Sequence, residues 1–251
     1  MTRPEEVRET PAVRGAFPCH ELAAWMADFG VVAGVTSRGA DFGLSSAEPA
    51  KAVLDRWRGL RTAMRPGFGA VVVAHQCHGT ALAVHRTSGP GWQVADDTDG
   101  HLTNQTGVLL TVTVADCVPV YLVQRSGPWI GLVHAGWRGI AGDIVERGVS
   151  TLCELARCQV NDIVMHCGVS ICDSCYEVGS EVYQRVTGEA VAGKHPLDLR
   201  ALIVKWAERS GVRRATVSPW CTAHDRQAFY SHRGSGGTDG RMLAYLGRPS
   251  P

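Results

Sequence analysis

The stretch VLLTVTVADCVPVYLVQ, residues 108–124, is a long, strongly β-branched run whose one charged residue, Asp116, stands beside Cys117. Valine and threonine at this density favour extended chain, so the stretch reads as two strands meeting at Asp116–Cys117. Its neighbours repeat the design. Upstream, FGAVVVAHQCHG (residues 68–79) is an apolar strand that runs directly into a His/Cys/His/Gly turn. Downstream, WIGLVHAGWRG (residues 129–139) is another, ending in a turn of small residues around His134.

Outward from this centre the chain mixes helices and strands. ELAAWMADFG (21–30) is a short helix ended by Gly30, and EPAKAVLDRWRGLRTAM (48–64) places Val53, Leu54, Trp57 and Leu60 on one helical face. AGDIVERGVSTLCELA (141–156), SEVYQRVTG (180–188) and LDLRALIVKWAERSG (197–211) read as further helices. Strands are expected in 31–36, 80–86, 162–170 and 214–224, with a last one closing the chain after the polar loop that follows Phe229. GPGWQVADDTDGHLTNQTG (89–107) reads as a polar loop with one apolar interruption, and residues 1–15 as a flexible tail. Helices and strands do not alternate strictly. The pattern favours an α+β class, a layered αββα arrangement, over a doubly wound sheet. No linker, repeat or low-complexity segment divides residues 16–251, which are taken as a single catalytic domain.

Composition excludes several classes. Of 251 residues, 45% are apolar and 20% charged, and the formal net charge is +1. That balance suits a globular protein and gives no basic field for nucleic acid. No segment reaches the roughly 18 apolar residues of a membrane span, and the polar N-terminus lacks a signal-peptide core. A cytoplasmic protein is expected, with its nine cysteines serving as thiols, ligands or nucleophiles.

Three of the β-rich segments end at residues that bind borderline metals: His78, Cys117 and His134. Strand ends are rigid, and side chains from neighbouring ends can converge. Two imidazoles and a thiolate suit zinc with one coordination position left open, the arrangement of catalytic sites. Such a metal lowers the pKa of its water to about 7. Without metal, the same groups make a Cys–His nucleophile pair. One cysteine in an apolar strand is ordinarily a small core residue. Here Gly79, Gly136 and Gly139 follow the two histidines closely and imply tight turns or close backbone approach.

The strings HQCHGT, TVTVADCVPVYL, GLVHAGWRG, CYEVG, LDL and SPWCT…FYSHR…GRM occur in the order seen in the YfiH laccase-domain family, also called multicopper polyphenol oxidases. The resemblance covers nearly all of the chain from about residue 30. It implies a single layered domain and a zinc-dependent purine nucleoside phosphorylase, with copper as the other metal. The substrates implied are adenosine, inosine or methylthioadenosine with phosphate, and adenosine deamination is implied as a second activity. It places the metal on His78, Cys117 and His134. Asp116 is expected either to orient a ligating histidine or to cap a turn, and Arg138 either to clamp phosphate or ribose or to pair with a loop carboxylate. Asp99 and Thr103 match a pocket-lining loop, Arg38 matches the arginine after a Thr, and Arg241 belongs to GRM.

The chain also departs from the family pattern. GADFGLSS is shortened, with Ser45 at an Asn position. CGVSICDSCYEVG has Val169 and Asp173 for prolines, Cys172 for glycine and Ser174 for cysteine, and SHRG has His232 for tyrosine and Gly234 for arginine. Cys172 and Cys175 form a Cys-x-x-Cys pair with His166 and Cys167 nearby, and His75 pairs with His78 as His-x-x-His. No partner pair at zinc-ribbon spacing is apparent, so a structural zinc site is not expected there. The alternatives kept are a metal-free cysteine hydrolase using Cys117 and His134, a copper-dependent phenol oxidase, and a metal-binding partner protein. The oxidase reading suffers because ten scattered histidines contain no His-x-His pair.

Overall fold

The 108–124 stretch does break at Asp116–Cys117, and the break carries the chain from one sheet into another. The computed structural model describes residues 4–44 and 48–251, so Ser45 lies outside the described residues. Strands are numbered β1–β16 and helices α1–α6 along the chain. One seven-stranded sheet has the order β1 (Glu5–Glu6), β15 (Arg214–Val217), β12 (Ile163–Cys167), β10 (Val118–Gln124), β11 (Ile130–Ala135), β8 (Gly100–Thr103), β6 (Leu82–His85). The other runs β2 (Thr10–Arg14), β3 (Phe17–Glu21), β4 (Val32–Thr36), β16 (Met242–Gly247), β9 (Val108–Val114), β5 (Ala70–Ala74), β7 (Gly91–Ala95). A small antiparallel pair, β13 (Glu177–Gly179) and β14 (Lys194–Pro196), stands apart.

The sheets face one another, and helices cover their outer sides. Alternation along β10 shows why: Tyr121 and Val123 point into the core between the sheets, while Val120 and Leu122 point the other way. That outward face is covered by α4 (Ile144–Ala156) and α6 (Leu199–Ser210), through Ile144, Val149, Leu152 and Ile203. On the second sheet, Leu109, Val71 and Leu243 lie under α2 (Ala50–Met64). Strands buried on both faces carry continuous apolar runs instead of alternating ones, hence the unbroken character of 108–124. The result is the expected αββα layering. In α2 the buried residues are Val53, Trp57, Leu60 and Met64; Leu54 is 48% exposed and lies off that face. The remaining helices are α1 (Ala24–Phe29), capped by Gly30 at φ 65°, α3 (Trp137–Ala141) and α5 (Ser180–Thr187).

Two expectations need correction. Residues 5–14 are no loose tail: β1 pairs in parallel with β15, and β2 pairs antiparallel with β3. Between them Glu9, 2% exposed, accepts from the Ser218 hydroxyl at 2.6 Å and meets His166 Nε2 at 3.0 Å. These are edge strands, largely exposed, and so show no apolar periodicity. Likewise, the polar loop at 89–107 contains β7 and β8. All four residues of β8 are buried although two are polar, His101 and Thr103. His101 Nδ1 meets His85 Nε2 at 3.1 Å and Thr103 Oγ1 donates to the His85 carbonyl, so each polar side chain finds a partner inside, although His101 Nε2 has none among the described residues.

Candidate active site

Three strand ends converge. His78 sits in the turn after β5, Cys117 at the crossing from β9 to β10, and His134 near the end of β11. β10 and β11 are antiparallel neighbours with Pro119 opposite His134, which sets Cys117 beside the imidazole. A ligand atom from each of the three residues lies within 4.8 Å of the others, and the two imidazole rings meet edge to face at 4.9 Å. His134 is buried, Cys117 half-buried and His78 exposed, so the group opens to one side.

Asp99 holds this arrangement from behind. Its carboxylate accepts from His134 Nδ1 at 2.8 Å, and from the backbone N–H groups of Gly79 at 2.7 Å and His78 at 3.1 Å. A carboxylate can only accept, so Nδ1 carries a hydrogen and Nε2 is the nitrogen of His134 that would meet a metal. Burial disfavours charge on Asp99, yet the His134 bond and the donated N–H groups outweigh it and hold the carboxyl well below the usual range. Burial also works against a charged His134, but the Cys117 thiolate and Asp99 raise it to about 9. Cys117 is pushed up by burial and brought down further by His134 and His78, to about 6. Without metal the set is therefore a Cys117 thiolate facing a His134 imidazolium at neutral pH, and a metal ion would take the place of the Nε2 proton. Space is also reserved for it: a Cβ on Gly136 would stand 2.9 Å from Cys117 Sγ and 3.2 Å from His78 Cδ2. A thiolate and two imidazoles, that of His134 oriented by Asp99, with backbone kept clear, fit a zinc or copper ion.

The group lies in a cleft of about 550 Å³. Three guanidinium-bearing residues line it, Arg138, Arg233 and Arg241, together with the rings of Trp137 and Tyr176. Arg138 stacks on Trp137 at 4.4 Å, and among the described residues no carboxylate lies within ion-pair distance of it. Arg241 donates to the carbonyls of Asp239 and Gly240, which ties it to its own loop.

The other sequence-selected residues divide. Asp116, at φ 87°, lines the cleft but does not orient a histidine; that task falls to Asp99. Its carboxylate instead accepts from Thr222 Oγ1 (2.6 Å), Ser231 Oγ (2.7 Å) and the Arg233 N–H (2.6 Å), fastening a distant loop to the crossing. Thr103 is spent on the His85 carbonyl inside β8, away from the cleft. Arg38 is also outside the cleft lining; it binds Asp239 at 2.5 Å and stacks on Tyr230. His75 lines the cleft but bonds Asp97 at 2.8 Å and is no member of the ligand group. Tyr176 and Arg233 were not foreseen. Both lie in strings the sequence displays, CYEVG and SHRG, but nothing local says that these loops fold back over His78.

Fold and site together define a layered αββα protein with a two-histidine, one-cysteine metal-type centre at the floor of a cationic cleft. The chain belongs to the family described as multi-copper polyphenol oxidoreductase laccase, whose model matches residues 26–249. It is 36% identical over 163 residues to the purine nucleoside phosphorylase YlmD of Geobacillus stearothermophilus, covering 60% of each chain. It is 32% identical over 163 residues to adenosine deaminase RL5 of an unknown prokaryotic organism, covering 60% of this chain and 62% of that one. The chain thus spans about 60% of the length of these curated relatives. The crystal structure of YlmD from Geobacillus stearothermophilus superposes with a TM-score of 0.85 at 29% identity, over 96% of this chain and 100% of that one.

Proposed function

We propose that the protein is a zinc-dependent purine nucleoside phosphorylase that also deaminates adenosine. The observation that carries this reading is the convergence of His78, Cys117 and His134 beneath three arginines and two aromatic rings in one cleft. The names of the two curated relatives support both activities. His78, Cys117 and His134 are the residues that would hold zinc, with copper as the other candidate, and the ion supplies Lewis acidity there. Arg138, Arg233 and Arg241 suit phosphate, because guanidinium forks hold oxyanions in fixed orientation. The flat faces of Trp137 and Tyr176 suit a purine. In phosphorolysis a phosphate oxygen bonds to the ribose anomeric carbon as the glycosidic C–N bond breaks, giving free base and ribose 1-phosphate. The arginines hold the attacking phosphate, and the buried Asp99–His134 pair keeps the floor rigid.

A second reading rests on the electrostatics of the pair. A Cys117 thiol near 6 beside a His134 imidazole near 9 is an ion pair at neutral pH, the resting state of a metal-free cysteine hydrolase. A phenol oxidase needs a larger set of histidines than any ligand group found among the described residues.

The deciding experiment incubates the protein with adenosine, inosine and methylthioadenosine, with and without phosphate, and separates the products by chromatography. Phosphate-dependent free base, lost in Cys117→Ala, is expected. Absence of both free base and inosine from the wild type overturns the purine reading. Zinc-free protein whose Cys117 is selectively alkylated would favour the hydrolase.

A further inference from the structure

A second group of metal-type side chains meets outside the cleft. Cys172 and Cys175 lie on the loop between β12 and β13, and Cys221 and His224 on the loop after β15. Both are short spacings of the same kind, Cys-x-x-Cys and Cys-x-x-His, separated by 45 residues. A ligand atom from each of the four residues lies within 4.8 Å of the others. Cys175 Sγ is 3.1 Å from His224 Nε2, and Cys172 Sγ is 3.7 Å from His224 Nδ1. Zinc–sulfur bonds of about 2.3 Å and zinc–nitrogen bonds of about 2.0 Å give tetrahedron edges of roughly 3.5–3.8 Å. Those two contacts use different nitrogens of one imidazole, of which one would bind an ion; as single ligand atoms the four groups lie within 4.8 Å of one another, so closing to that size asks for shifts of about 1 Å.

The backbone builds the cluster; it is no chance meeting of flexible side chains. Ser170 and Cys221 form a parallel bridge, and the Thr222 N–H donates to the Ser170 carbonyl at 3.1 Å. The Cys172 N–H points at Cys221 Sγ at 3.4 Å. Each pair sits on a tight turn, closed by the Cys175 N–H on the Cys172 carbonyl and by the Asp225 N–H on the Cys221 carbonyl. Asp225 also accepts from the Cys221 N–H at 2.9 Å. None of the four lines the cleft, and none is in a disulfide. Three thiols and an imidazole make a complete tetrahedral set with no open position, the form of structural zinc sites. The two loops it joins complete the cleft: one continues into Tyr176, and the other supplies Thr222, Ser231 and Arg233 to Asp116.

We propose that Cys172, Cys175, Cys221 and His224 form a second, structural zinc site that clamps the Tyr176 loop to the loop that secures Asp116.

The test is the metal content of the full chain purified without added metal or chelator. About two zinc ions per chain are expected in the wild type and about one in His78→Ala/Cys117→Ala, which keeps only the proposed site. Cobalt exchanged into that double variant should give the intense visible bands and thiolate charge-transfer absorption of tetrahedral cobalt. A chelator should lower its melting temperature. Cys172→Ser/Cys175→Ser should lose this zinc, whereas His224→Cys, which supplies a fourth thiolate, should keep it. Should the serine variant fail to fold, the cobalt spectrum of the first variant still decides. Zinc-free, spectroscopically silent His78→Ala/Cys117→Ala protein overturns the proposal. So does a disulfide among Cys172, Cys175 and Cys221 in peptides mapped without reduction from freshly purified protein. Wild type that holds two zinc ions but releases no free base or inosine would overturn the purine reading and leave this one standing.

Discussion

The carboxylate of Asp99 accepts from His134 Nδ1 and from the backbone of His78 and Gly79, so one side chain positions two of the three candidate ligands. Asp99→Asn keeps the shape but can present an amide N–H to Nδ1 and removes the charge. Metal affinity should fall roughly 10–100-fold, measured by competition with a chromophoric chelator. Asp116→Asn should leave that affinity nearly unchanged, because Asp116 bonds Thr222, Ser231 and Arg233 and no ligand. Equal losses in the two variants would refute this division of roles. Gly136→Ala tests the reserved space. Its φ is an ordinary −82°, so strain is not the issue; the new methyl meets Cys117 Sγ at 2.9 Å. The substitution should weaken metal binding while the melting temperature changes little, and calorimetry on both forms would show it. The choice between Asp99 and Asp116 was not legible in sequence. Asp116 stands next to a candidate ligand and Asp99 before the polar stretch GHLT, and only the packing of β8 beside β11 decides that Asp99 reaches His134.

At the scale of elements, helices with a clean buried face were legible and polar buried strands were not. Val53, Trp57 and Leu60 announce α2 through helical spacing. β8, GHLT, is buried on all four residues, but its histidine and threonine look like loop because their partners come from β6. α4 carries an electrostatic signature of its own. Burial and the adjacent Asp143 raise Glu146 to about 7 from an ordinary 4.5. A carboxyl raised in the folded state binds its proton more tightly there than when unfolded. Its stabilising contribution is full below pH 4.5 and is lost as the pH climbs through 7. Glu146→Gln cannot ionise, so its melting temperature should gain on the wild type between pH 5 and pH 8. A constant difference across that range would show that Glu146 titrates normally.

For the whole molecule, the N-terminal segment closes the first sheet and ties it to the second. Glu9 reaches His166 on β12 and Ser218 just beyond β15, all of them buried. Glu9→Ala would leave His166 and Ser218 short of a partner and should cost about 3 kcal/mol, read from denaturant unfolding. A loss below about 0.5 kcal/mol would mean that the segment behaves as a tail after all. His166 and Cys167 stand close to the Cys-x-x-Cys pair in sequence, yet they lie in β12, His166 bonded to Thr216 and Cys167 in the core under α6. The residues that do join Cys172 and Cys175 are Cys221 and His224, further along the chain. The sequence alone determined the strands around 108–124, the helical faces and the layered class, and it marked His78, Cys117 and His134 as candidates at strand ends. These are written in local periodicity and in short strings, which act over a few residues. Tertiary structure alone decided that Asp99 backs His134, that the first residues are sheet edge, and that Cys172 and Cys175 face Cys221 and His224. Each depends on which strands become neighbours. That is set by burying three apolar layers at once, a property no single segment contains.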